Sequence, residues 1–276
     1  NITSKTILII NNMNSSLFDL ENKLISLKST KLLLAIKAEF EAEGTRIDEL
    51  SVISYLCLKN QVSLTLKIGG PCAKRDIYEA FQLGASNILV PMVESEFAFE
   101  FCYESYKSLI PTFKPLNICP SLSINIESKT AINNFDSILE KVKECNRPIK
   151  EIVIGRSDLA KSFNEKDVNS KLIHELSEMI IKKCLELNIN VTLGGNLTNE
   201  SYQFIKNLDG KSFTGFESRK CTFKKSKNFN YESFTSLVNN GLEFELFWLN
   251  FKKQMYKKRS EEEIKRIQDL TKRIRH

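Results

Sequence analysis

Two carboxylates stand at the ends of short apolar runs. Ser121-Leu-Ser-Ile-Asn-Ile-Glu127 reads as a strand ending in a glutamate, and Glu151-Ile-Val-Ile-Gly-Arg-Ser-Asp158 reads as a strand that turns through Gly155 toward an aspartate. In a parallel α/β barrel the reactive groups come from strand C-termini. Glu127 and Asp158 could therefore converge on one divalent ion, which takes hard oxygen ligands. Arg156 stands beside Asp158, and Lys37, Glu39, Glu41, Glu43, Lys67, Glu217, Arg219 and Lys220 crowd the ends of other runs. Lys37, Glu39, Lys67 and Glu127 share the side-chain parity of their strand ends, so several should point into the barrel. A carboxylate desolvated there without a partner costs several kcal/mol, which makes a charged ligand or a metal the best explanation of such a rim.

The elements that would carry these groups alternate along nearly the whole chain. Strand-like runs fall at Thr6–Ile10, Leu33–Glu39, Ser63–Gly69, Asn87–Pro91, Leu122–Glu127, Lys150–Gly155, Asn190–Leu193 and Ser212–Glu217. Helical periods lie between them, near 15–29, 47–60, 72–84, 95–109, 131–145, 168–188 and 198–207. Phe229–Lys258 supplies the last helix. Eight strands and eight helices predict a (β/α)8 TIM barrel, an α/β fold, over residues 1–258. An open doubly wound sheet is the alternative, but it would usually show a Gly-rich phosphate loop after its first strand, and none is present.

Residues 259–276 read as a separate C-terminal basic amphipathic helix. Ser260-Glu261-Glu262-Glu263 resembles a capping box, and Ile264, Ile267, Leu270 and Ile274 follow at helical spacing. Such a helix packs on a partner subunit or on the fold more readily than it binds nucleic acid. The 276 residues carry a net charge of +6, and that excess is the charge of the Lys252–His276 tail, leaving the rest of the chain balanced. No run approaches the roughly 20 apolar residues of a membrane span, and no signal-peptide pattern opens the chain. Seven cysteines scattered singly read as reduced thiols rather than disulfides or zinc ligands. A cytoplasmic protein without nucleic-acid or membrane partners is the expectation.

Four segments in order then resemble a known family: Lys67-Ile-Gly-Gly, Ala85-Ser-Asn-Ile-Leu-Val-Pro-Met-Val-Glu-Ser95, Ile124-Asn-Ile-Glu127 and Val153-Ile-Gly-Arg-Ser-Asp-Leu159. Together they are similar to the HpcH/HpaI aldolase/citrate lyase family of the pyruvate/phosphoenolpyruvate barrel superfamily, over about residues 30–220. The resemblance implies Mg²⁺ or Mn²⁺ held by Glu127 and Asp158 and chelating the keto and carboxylate oxygens of a pyruvate-type substrate. It also implies Lys67, where many members have Arg, facing the enolate oxygen, so that the charge is kept and the bidentate fork is lost. The turn Arg156-Ser157-Asp158-Leu159 would offer backbone N–H groups to the substrate carboxylate.

The proton-transfer half departs from the family. Many members carry a Glu-His pair where this chain reads Glu41-Ala-Glu43-Gly44, and its two histidines, His174 and His276, lie elsewhere. A metal-activated water or a carboxylate from Glu39, Glu41 or Glu43, its pKa raised by neighbouring acids and partial burial, would have to act. Lys37, Arg46, Arg75, Arg156, Arg219 and Lys220 offer positive charge for a phosphorylated or polycarboxylated substrate, and Gly194 and Gly195 allow close backbone approach. For Glu217-Ser-Arg219-Lys220, an ion-pair lock closing the barrel and a substrate contact both stand.

These features predict a class II, metal-dependent carbon–carbon lyase that makes or breaks an aldol bond at a pyruvate-type enolate. An α-keto acid and an aldehyde, such as a sugar or sugar phosphate, would be its substrates, and a homo-oligomer its assembly. A citryl- or malyl-CoA-type lyase and a non-catalytic barrel serving assembly are the alternatives.

Overall fold

The computed structural model describes residues 16–40, 42–145, 149–208, 211–226 and 229–274. Its sheet is a closed barrel of eight strands in sequence order. These are β1 (Leu33–Glu39), β2 (Leu64–Lys67), β3 (Asn87–Val90), β4 (Ser121–Ile126), β5 (Glu151–Gly155), β6 (Asn190–Gly194), β7 (Phe213–Glu217) and β8 (Cys221–Lys224). The helices are α1 (Leu17–Ser29), α2 (Ile47–Lys59), α3 (Lys74–Gln82), α4 (Glu96–Phe113), α5 (Lys129–Asn133), α6 (Phe135–Lys143), α7 (Arg156–Ser162), α8 (Lys171–Glu186), α9 (Ser201–Asn207) and α10 (Tyr231–Ile274). The expected α/β barrel with a C-terminal helical extension is therefore the fold.

β1 to β7 pair in parallel, as their continuous apolar runs require of strands covered on both faces. Helix starts are fixed locally. The side chains of Ser16, Ser95, Ser128 and Ser170 each accept a backbone N–H three residues on, satisfying donors that have no partner inside the helix.

Closure differs from the expectation. The expected first strand, Thr6–Ile10, lies outside the described residues, and the ring is completed instead by Cys221–Lys224, which runs antiparallel to both β7 and β1. Four residues after a tight Ser218-Arg219-Lys220 turn carry too little periodicity to announce a strand. Their pairing is tight: a Cβ on Gly215 of β7 would lie 2.4 Å from the carbonyl oxygen of Phe223.

Because β8 runs backwards, the chain leaves it at the opposite end from the β1–β7 C-termini, and α10 climbs the wall toward them. Phe234, Leu237, Val238, Gly241, Phe244 and Trp248 are the buried residues of this helix. The helix-start signal at Ser260 is not used. α10 continues through it as one 44-residue helix, since Glu and Lys at exposed positions sustain a helix already nucleated upstream. Every described residue from Lys257 to Ile274 is exposed. No described helix is long and apolar enough to cross a membrane.

Gly215→Ala should lower the unfolding free energy by about 1–3 kcal/mol, the usual cost of forcing an extra carbon into a packed wall. Denaturant unfolding measures it, and a variant as stable as the wild type would contradict the tight β7–β8 seam.

Candidate active site

At the C-terminal ends of β1 to β7 the barrel opens into a cavity of about 790 Å³. Glu127 and Asp158 both line it, with Lys67, Asn125, Ser157, Gly194 and Gly195. Glu127 follows β4 and is almost fully buried. Its Oε1 accepts from the Met92 backbone N at 3.0 Å, its Oε2 accepts from Asn125 Nδ2 at 2.8 Å, and Lys67 Nζ lies 3.7 Å from Oε2. These donors hold the carboxylate in one orientation.

Glycines make room for the glutamates of the mouth. A Cβ on Gly155 would lie 2.6 Å from Glu127 Oε2, and one on Gly194 would lie 3.0 Å from Glu217 Oε1. Gly155 and Gly194 are register partners on β5 and β6, so the wall between the two carboxylates carries no side chains at this level. Gly195, at φ +85°, sits over the start of α7, where a Cβ would come within 2.5 Å of the Ser157 backbone N. Only glycine fits against that amide without a shift of the backbone.

The remaining charges are largely committed to one another. Lys37 is buried, with Nζ 2.5 Å from Glu217 Oε1 and 3.3 Å from Glu39 Oε1. Burial opposes its charge, but Glu217 and Glu39 outweigh burial and raise its pKa. For Glu39 burial likewise opposes ionisation, yet Lys37 and Lys67 hold its carboxyl below the ordinary range. This corrects the expectation of a raised value: the neighbours that decide are lysines, not acids. Glu43 pairs with Lys220 and is not on the cavity wall, and Glu41 lies outside the described residues. The segment Glu217–Lys220 is thus chiefly an ion-pair lock.

Arg156 departs from its expected contact with substrate. It is fully buried and turned away from the cavity. Its guanidinium donates to the carbonyls of Gly194 (3.1 Å) and Gly195 (2.8 Å) and to Asn169 Oδ1 (2.7 Å), and lies over the Phe204 ring. Burial pulls its pKa down to about 10. Its work is to fix the Gly194-Gly195 loop. Arg46 and Arg75 also stand off the cavity, Arg75 pairing with Glu79 along α3.

Two lining groups escaped the sequence patterns. Asn125 precedes Glu127 by two residues on the same strand face, a polar residue within an apolar run, and this parity was the available signal. Glu245, from α10, is half-buried and joins the wall from 87 residues beyond Asp158, with no local signal. The lining among described residues holds six carboxylates and five cations, so the mouth is not the positive basin expected for a polyanion.

No three His, Cys, Asp or Glu side chains come together as a ligand set among the described residues. Magnesium-type sites need fewer, since one or two carboxylates with waters and substrate oxygens suffice. Two observations fit such an ion: the carboxylate excess, and a buried Asn125 Oδ1 that has no hydrogen-bond partner beside Glu127. The donors are all hard oxygens, the chemistry Mg²⁺ and Mn²⁺ prefer.

Residues 66–191 match the family model HpcH/HpaI aldolase/citrate lyase, a segment that spans the motifs quoted above from Lys67 to Asp158. An HpcH/HpaI aldolase from Desulfitobacterium hafniense DCB-2 superposes with a TM-score of 0.54 at 12% identity, over 68% of this chain and 77% of that one. An HpcH/HpaI aldolase/citrate lyase family protein from Burkholderia cenocepacia J2315 gives 0.55 at 9%, over 75% and 90%. A citrate synthase, SbnG, gives 0.54 at 15%, over 74% and 83%. At these identities the likeness is one of fold. Comparison with curated proteins finds no sequence match.

Glu39→Gln should be less stable than the wild type at neutral pH. A depressed carboxyl contributes stability above its ordinary value, 4.5, and loses it as pH falls through the lower folded value. The difference between the two proteins should therefore shrink steadily below that pH in parallel denaturation curves. A gap independent of pH would contradict the Lys37–Glu39–Lys67 cluster.

Proposed function

We propose that this barrel is an aldolase-type, metal-dependent carbon–carbon lyase acting on a pyruvate-type α-keto acid. The observation that carries the reading is the meeting of Glu127, Asp158 and Lys67 on one cavity at the strand C-termini, the face where barrels of this kind do their chemistry. Glu127 and Asp158 would hold Mg²⁺ or Mn²⁺. Such an ion supplies Lewis acidity at the keto oxygen and a fixed seat for the α-keto carboxylate.

The chain's own groups then have distinct tasks. Met92 N and Asn125 Nδ2 orient Glu127 by one hydrogen bond to each carboxylate oxygen. Lys67, beside Glu127 and only slightly exposed, faces the negative charge that grows as the enolate forms, where a preoriented cation helps most. The backbone amide of Ser157, on the cavity lining, would suit the substrate carboxylate, and Arg156 holds the glycine loop that packs against it. Lys37, expected at the substrate, instead neutralises Glu217 and Glu39 beneath it.

An aldehyde is the proposed acceptor, and the mixed charge of the mouth favours a polar uncharged sugar over a sugar phosphate. All seven cysteines are free, which supports a reducing, cytoplasmic setting. The exposed Ile264, Ile267, Leu270 and Ile274 on the projecting end of α10 support a homo-oligomer.

Deuterium exchange into the methyl group of pyruvate, in D₂O with Mn²⁺, tests the reading without knowledge of the acceptor. Glu127→Gln should lower it by about 100-fold or more, and unchanged exchange in that variant would refute the assignment.

A further inference from the structure

The proposed lyase needs a group to move the proton at carbon 3 of the keto acid, and the described carboxylates after β1 are already committed to lysines. Glu39 is ion-paired to Lys37 and Glu43 to Lys220. Glu245 is different. It reaches the cavity from α10, and its nearest cation, Arg219, stands 3.9 Å away on an exposed side chain. The helix is seated on both sides of it. One turn before, Gly241 packs so closely on the rim that a Cβ would lie 3.0 Å from Ser218 Oγ and 3.2 Å from the Phe223 ring, while Phe244 and Trp248 are buried beside and beyond it. A side chain held in this way is preorganised rather than searching.

Resting on the reading above, we propose that Glu245 is the proton carrier of the site, in place of the ion-paired Glu39 and Glu43 after β1. Its carboxylate removes a proton from carbon 3 of the bound keto acid. The C–H electron pair becomes the C2–C3 double bond of the enolate, and the carbonyl pair moves onto the oxygen facing Lys67. In the return direction the Glu245 carboxyl gives the proton back to carbon 3.

The surroundings tune the group for this work. Burial raises the carboxyl of Glu245; Arg219 and Lys220 oppose the shift, and Glu43 and Glu39 add to it. A carboxylate above its ordinary value is a stronger base near neutral pH. Exchange should then fall as pH drops through that raised value, because only the ionised form accepts a proton.

Two reactions of the wild type with Mn²⁺ separate the inference from the reading it rests on. Pyruvate methyl exchange requires proton removal, whereas decarboxylation of oxaloacetate reaches the same enolate by breaking a C–C bond. In Glu245→Gln the ratio of exchange to decarboxylation should fall by about 100-fold, with the acid limb of the exchange profile gone. Glu245→Asp should restore part of it, and circular dichroism should show both variants folded. An unchanged ratio and pH profile in Glu245→Gln would overturn the assignment, as would the same loss in Glu165→Gln, a lining carboxylate of the mouth with no ion pair among the described residues. A wild type that performs neither reaction would overturn the lyase reading itself, and the role of Glu245 with it.

Discussion

The buried contact between Lys37 on β1 and Glu217 on β7 spans the short antiparallel strand that closes the barrel, and much of the mouth depends on it. Removing one partner would leave an uncompensated charge inside the wall, a loss typically of about 3–5 kcal/mol. The contact also decides which charges remain for chemistry. It consumes a lysine that would otherwise meet substrate, holds Glu39 ionised, and keeps Glu217 packed against Gly194, the strand neighbour of Gly155 against which Glu127 rests. Structural pairing and candidate chemistry are thus segregated around the same ring.

Closure by an antiparallel strand has a second consequence. A parallel eighth strand would deliver the chain to the mouth and send the following helix away from it. Cys221–Lys224 does the reverse, so α10 arrives at the mouth partway along its length and lays Leu242 and Glu245 on the cavity wall. The same helix runs on to Ile274 in solvent. One backbone reversal links the cavity wall and the projecting arm.

What the sequence made legible follows from how local each signal is. β1 to β7 were readable to within a residue or two because buried parallel strands are continuous apolar runs bounded by turns. Strand parity also placed Lys37, Glu39, Lys67 and Glu127 on the cavity side, where all four are found. Arg156 misled because it follows Gly155 directly, at a position whose side-chain direction is set by the first turn of α7 and not by strand alternation. Its true partners, the Gly194 and Gly195 carbonyls, lie 38 and 39 residues away. β8 was too short to show a period, and Glu245 belongs to a helix whose apolar pattern speaks only of packing. The segment that matches a known family, residues 66–191, includes Glu127 and Asp158, the proposed metal ligands, whereas these tertiary features lie mostly outside it.

We propose Glu127 and Asp158, both on the cavity wall, as a site for a divalent ion and an α-keto acid together. Calorimetric titration of the protein with Mn²⁺, with and without oxalate as a mimic of the planar enolate, tests it most directly. Mn²⁺ should bind more tightly when oxalate is present, and Asp158→Asn should remove that cooperative gain. Oxalate binding that is indifferent to Mn²⁺, or Mn²⁺ binding that Asp158→Asn leaves unaltered, would contradict it.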